Sequence, residues 1–269
     1  MFNTQSFRPD PLLRQVISHY MLVKAELESP FADCCFLPKV NQQLSFNLGR
    51  DNMIYDLDNQ EYISRDNLIG QNNRICRIRI CDGMNRFIVN LRPLGWHKLS
   101  GVPAQQFINR NADLQILPGP EIAGLGDQLR ACCDIKKQIL LLDSFFIDRL
   151  FSRKSRYKNI DVAVRLIEEA KGNISINQLE RETFITRRTL ERHFLEQSGM
   201  YPKMFARIVR FTEAIKFLEK NQKPNWTYFF NCLGYYDQSH FINEFRHFAG
   251  CLPSRYFHQP MEFESALKC

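Results

Sequence analysis

The 269-residue sequence lacks most of the signals that mark a compartment or a chemistry. Even its continuous apolar stretch Ile139 to Leu142 is far shorter than the roughly 20 residues needed to cross a bilayer, which excludes a membrane helix. The opening MFNTQSFRPDP has no basic region followed by an apolar run, so a secretory leader is not expected and the chain reads as cytoplasmic. There is no CxxC pair among nine cysteines, an odd count. Cys34-Cys35 and Cys132-Cys133 are adjacent, and Cys76 and Cys81 lie five apart, which predicts reduced, mostly buried thiols; nothing supports a redox-sensing pair. The six histidines (His19, His97, His193, His240, His247, His258) show no HxH or HExxH spacing, so neither a metal site nor a cofactor is expected. GxSxG, GxGxxG and P-loop motifs are missing too, and a cysteine with a remote histidine is too common to count. An enzyme is therefore not the expected reading.

What is present is charge, unevenly placed. The net charge is +7. Residues 152–257 carry 18 Lys+Arg against 11 Asp+Glu, and the rest of the chain carries 18 against 18. The whole excess therefore lies in one segment, as expected of a polyanion partner bound at one end only. Hydrophobic residues at 44% and 22 Phe supply a packed core. The length favours two domains.

The basic segment repeats itself. LERHFLEQSGMYPKMF, from Leu190, and FINEFRHFAGCLPSRY, from Phe241, align without a gap. Leu190 matches Phe241, Phe194 matches Phe245, Gly199 matches Gly250, Pro202 matches Pro253 and Phe205 matches Tyr256, each at an offset of 51 residues. The anchors are kept while the residues between them differ: one structural unit with two surfaces. In the first copy, Ile174 to Phe184 reads as a short helix with Ser175 as N-cap and Leu179 inward. Thr186 caps a second helix that buries Leu190 and Phe194 at i,i+4 and ends at Gly199. Arg187, Arg188, Glu191 and Arg192 fall on its exposed faces.

In the second copy Trp226, Phe229, Phe230 and Leu233 form a short apolar helix ending at Gly234. Asp237 caps a helix that buries Phe241, Phe245 and Phe248 and exposes Gln238, His240, Asn243, Arg246 and His247. Between the copies, Pro202 to Lys220 sets Phe205, Ile208, Phe211, Ile215 and Leu218 along one face of a connecting helix. Two short helices joined by a tight turn, the second with a charged outer face, make a helix-turn-helix unit. Two such units in one chain suit successive major grooves of duplex DNA, about 34 Å apart. One copy alone is a common pattern; two in register, holding all the excess charge, are not.

Residues from about Ile160 to Phe257 resemble the DNA-binding domain of AraC/XylS-type transcriptional regulators. The resemblance lies in TRRTLERHFLEQSGMYPKMF, in Arg210 and Ala214, and most specifically in LGYYDQSHFINEFRHFAGCLP. It implies a seven-helix fold. It also implies base-reading positions at Arg188, Glu191 and Arg192 in the first unit and at Gln238, His240 and Asn243 in the second. Thr186, Arg187, Lys203, Ser239 and Arg246 complete the candidate DNA-binding set. Glu180 and Phe230 stand where that family usually has a small alanine, which predicts looser or rearranged packing of both units.

Residues 1–151 read as a mixed domain. Strands are expected at His19–Glu26, Gln43–Leu48, Arg74–Ile80 and Arg86–Arg92, and helices at Val102–Asn109, Glu121–Cys132 and Ile135–Phe151. In CRIRIC, Cys76 to Cys81, alternation buries one face and turns Arg77 and Arg79 outward. The last helix carries Ile139, Leu140, Leu142, Phe145, Phe146 and Leu150, which predicts a dimer or domain contact at Phe145 and Phe146. LPKVNQQLSFNLG, NLIGQ and FIVNLRPLGWHKLSGVPAQQF resemble the N-terminal domain of a poorly characterised branch of the same regulators. Few strands are expected, so a full barrel is not. Arg92, Trp96 and His97 form the one polar-aromatic cluster that suits a ligand, with helix-start packing as the plainer alternative.

The reading is an α+β chain: a mixed N-terminal domain with a small sheet and helices over 1–151, an all-α DNA-binding domain over 152–257 and a tail over 258–269. Its expected role is sequence-specific regulation of transcription, with the N-terminal domain sensing an effector or mediating dimerisation. The alternatives are a pure protein-interaction module without ligand, or a catalytic module fused to a DNA-binding domain. Double-stranded DNA is the expected partner; RNA polymerase, a small-molecule effector and a second copy of the chain are further candidates.

Overall fold

The computed structural model describes residues 1–117, 120–152, 158–221 and 225–258. The N-terminal region is built on ten strands: β1 (Phe2–Phe7), β2 (Ile17–Ala25), β3 (Phe31–Phe36), β4 (Gln43–Asn47), β5 (Ile54–Asp56), β6 (Glu61–Tyr62), β7 (Asp66–Ile69), β8 (Cys76–Cys81), β9 (Asn85–Leu91) and β10 (Asn111–Asp113). They form two antiparallel sheets, ordered β1-β2-β9-β4-β7-β10 and β3-β8-β5-β6. Alternation sorts the side chains of the larger sheet. Phe87, Val89 and Leu91 join one core and Ile88 the other. The first core lies under helices α1 (Gly95–Ser100), α2 (Pro120–Ala131) and α3 (Ile135–Ser152). The second lies between the sheets and leaves a cavity of about 120 Å3, lined by Ile54, Ile78, Ile80 and Ile88 with Ser45 and Arg86.

Four strands were expected here and ten are present. Apart from β3, the added ones are short or polar. β7 reads DNLI, yet its Asp66 and Asn67 are buried because Arg130 and Arg86 bind them. The helix expected over Val102–Asn109 shrinks to one 3-10 turn, Ala104–Phe107, between Pro103 and Ile108 in extended conformations. The contact expected of Phe145 and Phe146 is corrected as well. Phe146 is buried and Phe145 packs on the same core, because α3 spends its apolar face on the larger sheet. Tyr20 Oη fixes it there, donating to Asp143 Oδ1 at 2.7 Å. The thiols are less buried than expected: Cys34 is buried, while Cys133 and Cys232 are exposed, and no disulfide joins any of the cysteines among the described residues.

Seven helices follow: α4 (Lys158–Glu169), α5 (Ile176–Thr183), α6 (Arg187–Ser198), α7 (Pro202–Lys220), α8 (Trp226–Leu233), α9 (Gln238–Ala249) and α10 (Pro253–His258). They share one core, into which Leu37 and Leu94 of the N-terminal region also pack. The expected tail beyond residue 258 lies outside the described residues. No helix among the described residues is long and apolar enough to cross a membrane. They contain no cluster of three or more metal-ligating side chains.

Candidate nucleic-acid interface

The first unit is α5 and α6. Ser175 and Gln178 form a reciprocal capping box at the start of α5. Thr186 caps α6, its side chain accepting from Thr189 N, and Gly199 ends it at φ 80°. Leu190 and Phe194 are fully buried, and Phe194 meets Phe205 edge-on at 5.2 Å. That orientation leaves Thr186, Arg187, Arg188 and Arg192 exposed and Glu191 half-buried on one outward row, with Lys203 exposed at the start of α7. Glu191 is engaged already, accepting from Arg187 Nε at 2.9 Å. Arg192 Nη2 lies 3.1 Å from His193 Nε2. Glu180 does not loosen the unit: its carboxylate accepts the backbone N–H of Arg187, a donor otherwise unpaired in the first helical turn.

The second unit is α8 and α9. Asn225 caps α8, Gly234 ends it at φ 68°, and Asp237 caps α9, accepting from His240 N at 2.7 Å. Phe230 is accommodated by stacking on Trp226 at 5.8 Å. Phe241 packs on Phe229 at 5.1 Å, and Phe211 of α7 meets Phe245 and Phe248 at 5.4 and 5.1 Å. Gln238, Ser239, Asn243 and Arg246 are exposed and His240 is half-buried. Tyr236 N donates to His240 Nδ1 at 3.2 Å. Nδ1 is then the acceptor, so the neutral ring carries its proton on Nε2 and offers a donor there.

The units are not perfect copies. Three residues separate α5 from α6 and four separate α8 from α9. Where the second unit turns on Gly234, the first turns on Phe184 at φ 57°, with 91% of its surface exposed. Tyr236, 92% exposed, stands beside the start of α9. Spacing between matched anchors did not reveal either aromatic.

One lock went unread in the sequence. Glu244 on α9, 4% exposed, accepts from Arg207 Nε at 2.9 Å and from Arg210 Nε and Nη2 at 3.1 and 2.8 Å. Burial alone would raise the Glu244 carboxyl, but the Arg210 and Arg207 guanidiniums hold it below its ordinary value. The same two arginines lie over the rings of Phe248 and Tyr235, at 5.0 and 4.9 Å. Charge and ring contacts thus fix the second recognition helix to the connecting helix.

The N-terminal region grips the first unit. Gln71, fully buried, donates from Nε2 to the carbonyl of Ser198 at the end of α6. Lys98 of α1 pairs with Asp161 of α4. A Cβ on Gly199 would meet Gln71 Oε1 at 2.8 Å and the Ala104 carbonyl at 3.0 Å, so this glycine serves both a left-handed backbone and a close approach. Arg92, Trp96 and His97 do not converge on a pocket. Arg92 is exposed and donates to the Arg14 carbonyl at 2.6 Å, Trp96 is buried edge-on against Phe107, and His97 Nδ1 faces the Val102 carbonyl at 3.4 Å.

Two family models match the chain: a helix-turn-helix domain over residues 179–259 and a domain of unknown function (DUF6597) over residues 5–113. No curated protein matches it. Among solved structures, ToxT from Vibrio cholerae is similar over 95% of this chain and 97% of that chain, at 13% identity and a TM-score of 0.46. A second structure of ToxT, from Vibrio cholerae O395, covers 95% and 96% at 13% identity and a TM-score of 0.44. With its paired units and the helix-turn-helix match that spans them, the C-terminal region is an AraC-type helix-turn-helix domain, and the chain is a DNA-binding regulator of transcription.

Proposed function

We propose that the chain reads an asymmetric DNA site as a single copy, with α6 and α9 in successive major grooves. The observation that carries this reading is the connecting helix. At 19 residues α7 is about 28 Å long, close to the roughly 34 Å repeat of the groove, and the Glu244 lock keeps α9 from swinging on it. Arg188 and Arg192 read bases in the first groove, where Arg187 holds Glu191 in place. In the second, Gln238 and Asn243 read bases, and His240 offers its Nε2–H to an acceptor such as purine N7 or guanine O6. Thr186, Lys203, Ser239 and Arg246 grip phosphates and fix the register. Residues 1–151 form the input domain and 152–257 the DNA-binding domain. The input domain takes its effector between the two sheets and acts on the first unit through Gln71 and Gly199, with no reaction catalysed.

The test is titration of the full chain onto duplex DNA at several salt concentrations. Affinity should fall steeply, with a log–log slope of about 0.9 per neutralised phosphate. Lys203→Ala should weaken all sequences nearly equally and lower that slope by about one. A flat salt response contradicts the assignment.

A further inference from the structure

The cavity between the sheets has two unlike walls. On the side of the smaller sheet it is lined mainly by Ile54, Ile63, Ile78 and Ile80, together with Asp56, whose carboxylate already accepts from Asp58 N, Asn59 N and Asn59 Nδ2. The larger sheet contributes Gln43, Ser45 and Arg86. Asn67 and Asn90 share that polar face, because each lies two residues from an isoleucine, Ile69 or Ile88, that lines the space.

Arg86 is only 3% exposed. Its Nη1 donates to Ser45 Oγ at 3.0 Å and Asn67 Oδ1 at 2.8 Å, and Nη2 donates to the Ser64 carbonyl at 3.1 Å, all of them neutral acceptors. Arg86 Nε, Asn67 Nδ2 and Asn90 Nδ2 have no partner. Among the described residues no carboxylate forms an ion pair with Arg86. Asp66, the acid that most affects it, is already bound by Arg130 Nη1 and Nη2 at 2.9 and 3.0 Å. Burial brings the Arg86 guanidinium down to about 10, so it stays charged at neutral pH. A buried cation with no carboxylate hydrogen-bonded to it, and with its own Nε unpartnered, is costly to the fold alone. A ligand with an anionic, acceptor-rich end answers both needs.

Size narrows the choice. A volume of about 120 Å3 is of the order of the roughly 150 Å3 core cavity that admits benzene. We propose that the cavity is a binding site for a small organic monoanion, a carboxylate on a single ring or short aliphatic body. The carboxylate meets Arg86 beside Ser45 and Gln43, and the body lies on the isoleucine wall. A neutral polyol would leave Arg86 unanswered and press hydroxyls on isoleucine; a long-chain acid exceeds the space. The proposal rests on the reading of the N-terminal region as an input domain and adds the class of molecule that it takes.

Calorimetry and thermal unfolding of the full chain test this, with benzoate and hexanoate as probes against benzyl alcohol, 1-hexanol and acetate. The two acids should bind at least tenfold more tightly than the alcohols and acetate, and should raise the melting temperature. Arg86→Met should abolish the preference for acids. Ile80→Phe, which fills the space from the opposite wall, should weaken both acids tenfold or more, and it keeps the test decisive if Arg86→Met does not fold. Alcohols binding as tightly as acids, acids failing to bind the wild type at millimolar concentration, or Ile80→Phe leaving acid binding unchanged would each overturn the proposal. DNA binding is measured in the same buffer without probe. Its loss would count against the regulator reading and leave the calorimetry to decide the site.

Discussion

Gly199 and Gly250 hold the same place in two copies of one unit, yet they have different neighbours. Both end a recognition helix in the left-handed region, at φ 80° and 67°. A Cβ on Gly250 meets nothing within 4 Å, whereas on Gly199 it strikes Gln71 and the Ala104 carbonyl. Gly250→Ala should therefore cost only the backbone term, about 1–2 kcal/mol. Gly199→Ala should cost more and should also alter how the N-terminal region grips α6. Denaturant unfolding of the two variants checks this; equal losses would mean that the seam is softer than its distances indicate. Residue roles were legible where the partner is near in sequence. Thr186 and Asp237 as caps, and the outward row of α6, follow from spacing alone. Arg86 and Gln71 were not, because their chemistry depends on Asn67 and Ser198, which chain topology brings to them.

Among the elements, α7 is where the two units become one body. Glu244 accepts from two arginines of that helix, and its native pKa lies below the ordinary 4.5. Its stabilising contribution is then complete above 4.5 and is lost as pH falls through the native value below it. Glu244→Gln should cost about 3 kcal/mol near neutral pH, since it leaves two guanidiniums without their shared partner. The deficit relative to wild type should shrink as pH drops through that acid range. An unchanged deficit across the range would show that shape, not charge, holds α9. Helices α5 to α9 were legible because period and caps agree over many residues, whereas α4 and α10 were expected only through the seven-helix fold that the resemblance implies. The short strands of the N-terminal region were not: β5, β6 and β10 are only two or three residues long, too short to display a period. The second, four-stranded sheet was therefore missed.

For the whole molecule, all the excess positive charge lies in the segment that carries both helix-turn-helix units. What charge did not forecast is how closely the halves are joined, with Leu37 and Leu94 in the helical core and Gln71 on the end of α6. The central claim is that one chain reads two neighbouring grooves. Selection from randomised duplexes with the full chain, Arg192→Ala and Asn243→Ala tests it most directly. The account predicts that each variant relaxes preference at one or two positions, an effect of about 1–3 kcal/mol for an arginine–guanine pair. The two affected sets should lie about 10 base pairs apart. If Arg192→Ala lowers affinity uniformly without changing base preference, or if both variants relax the same positions, the two units do not read successive grooves.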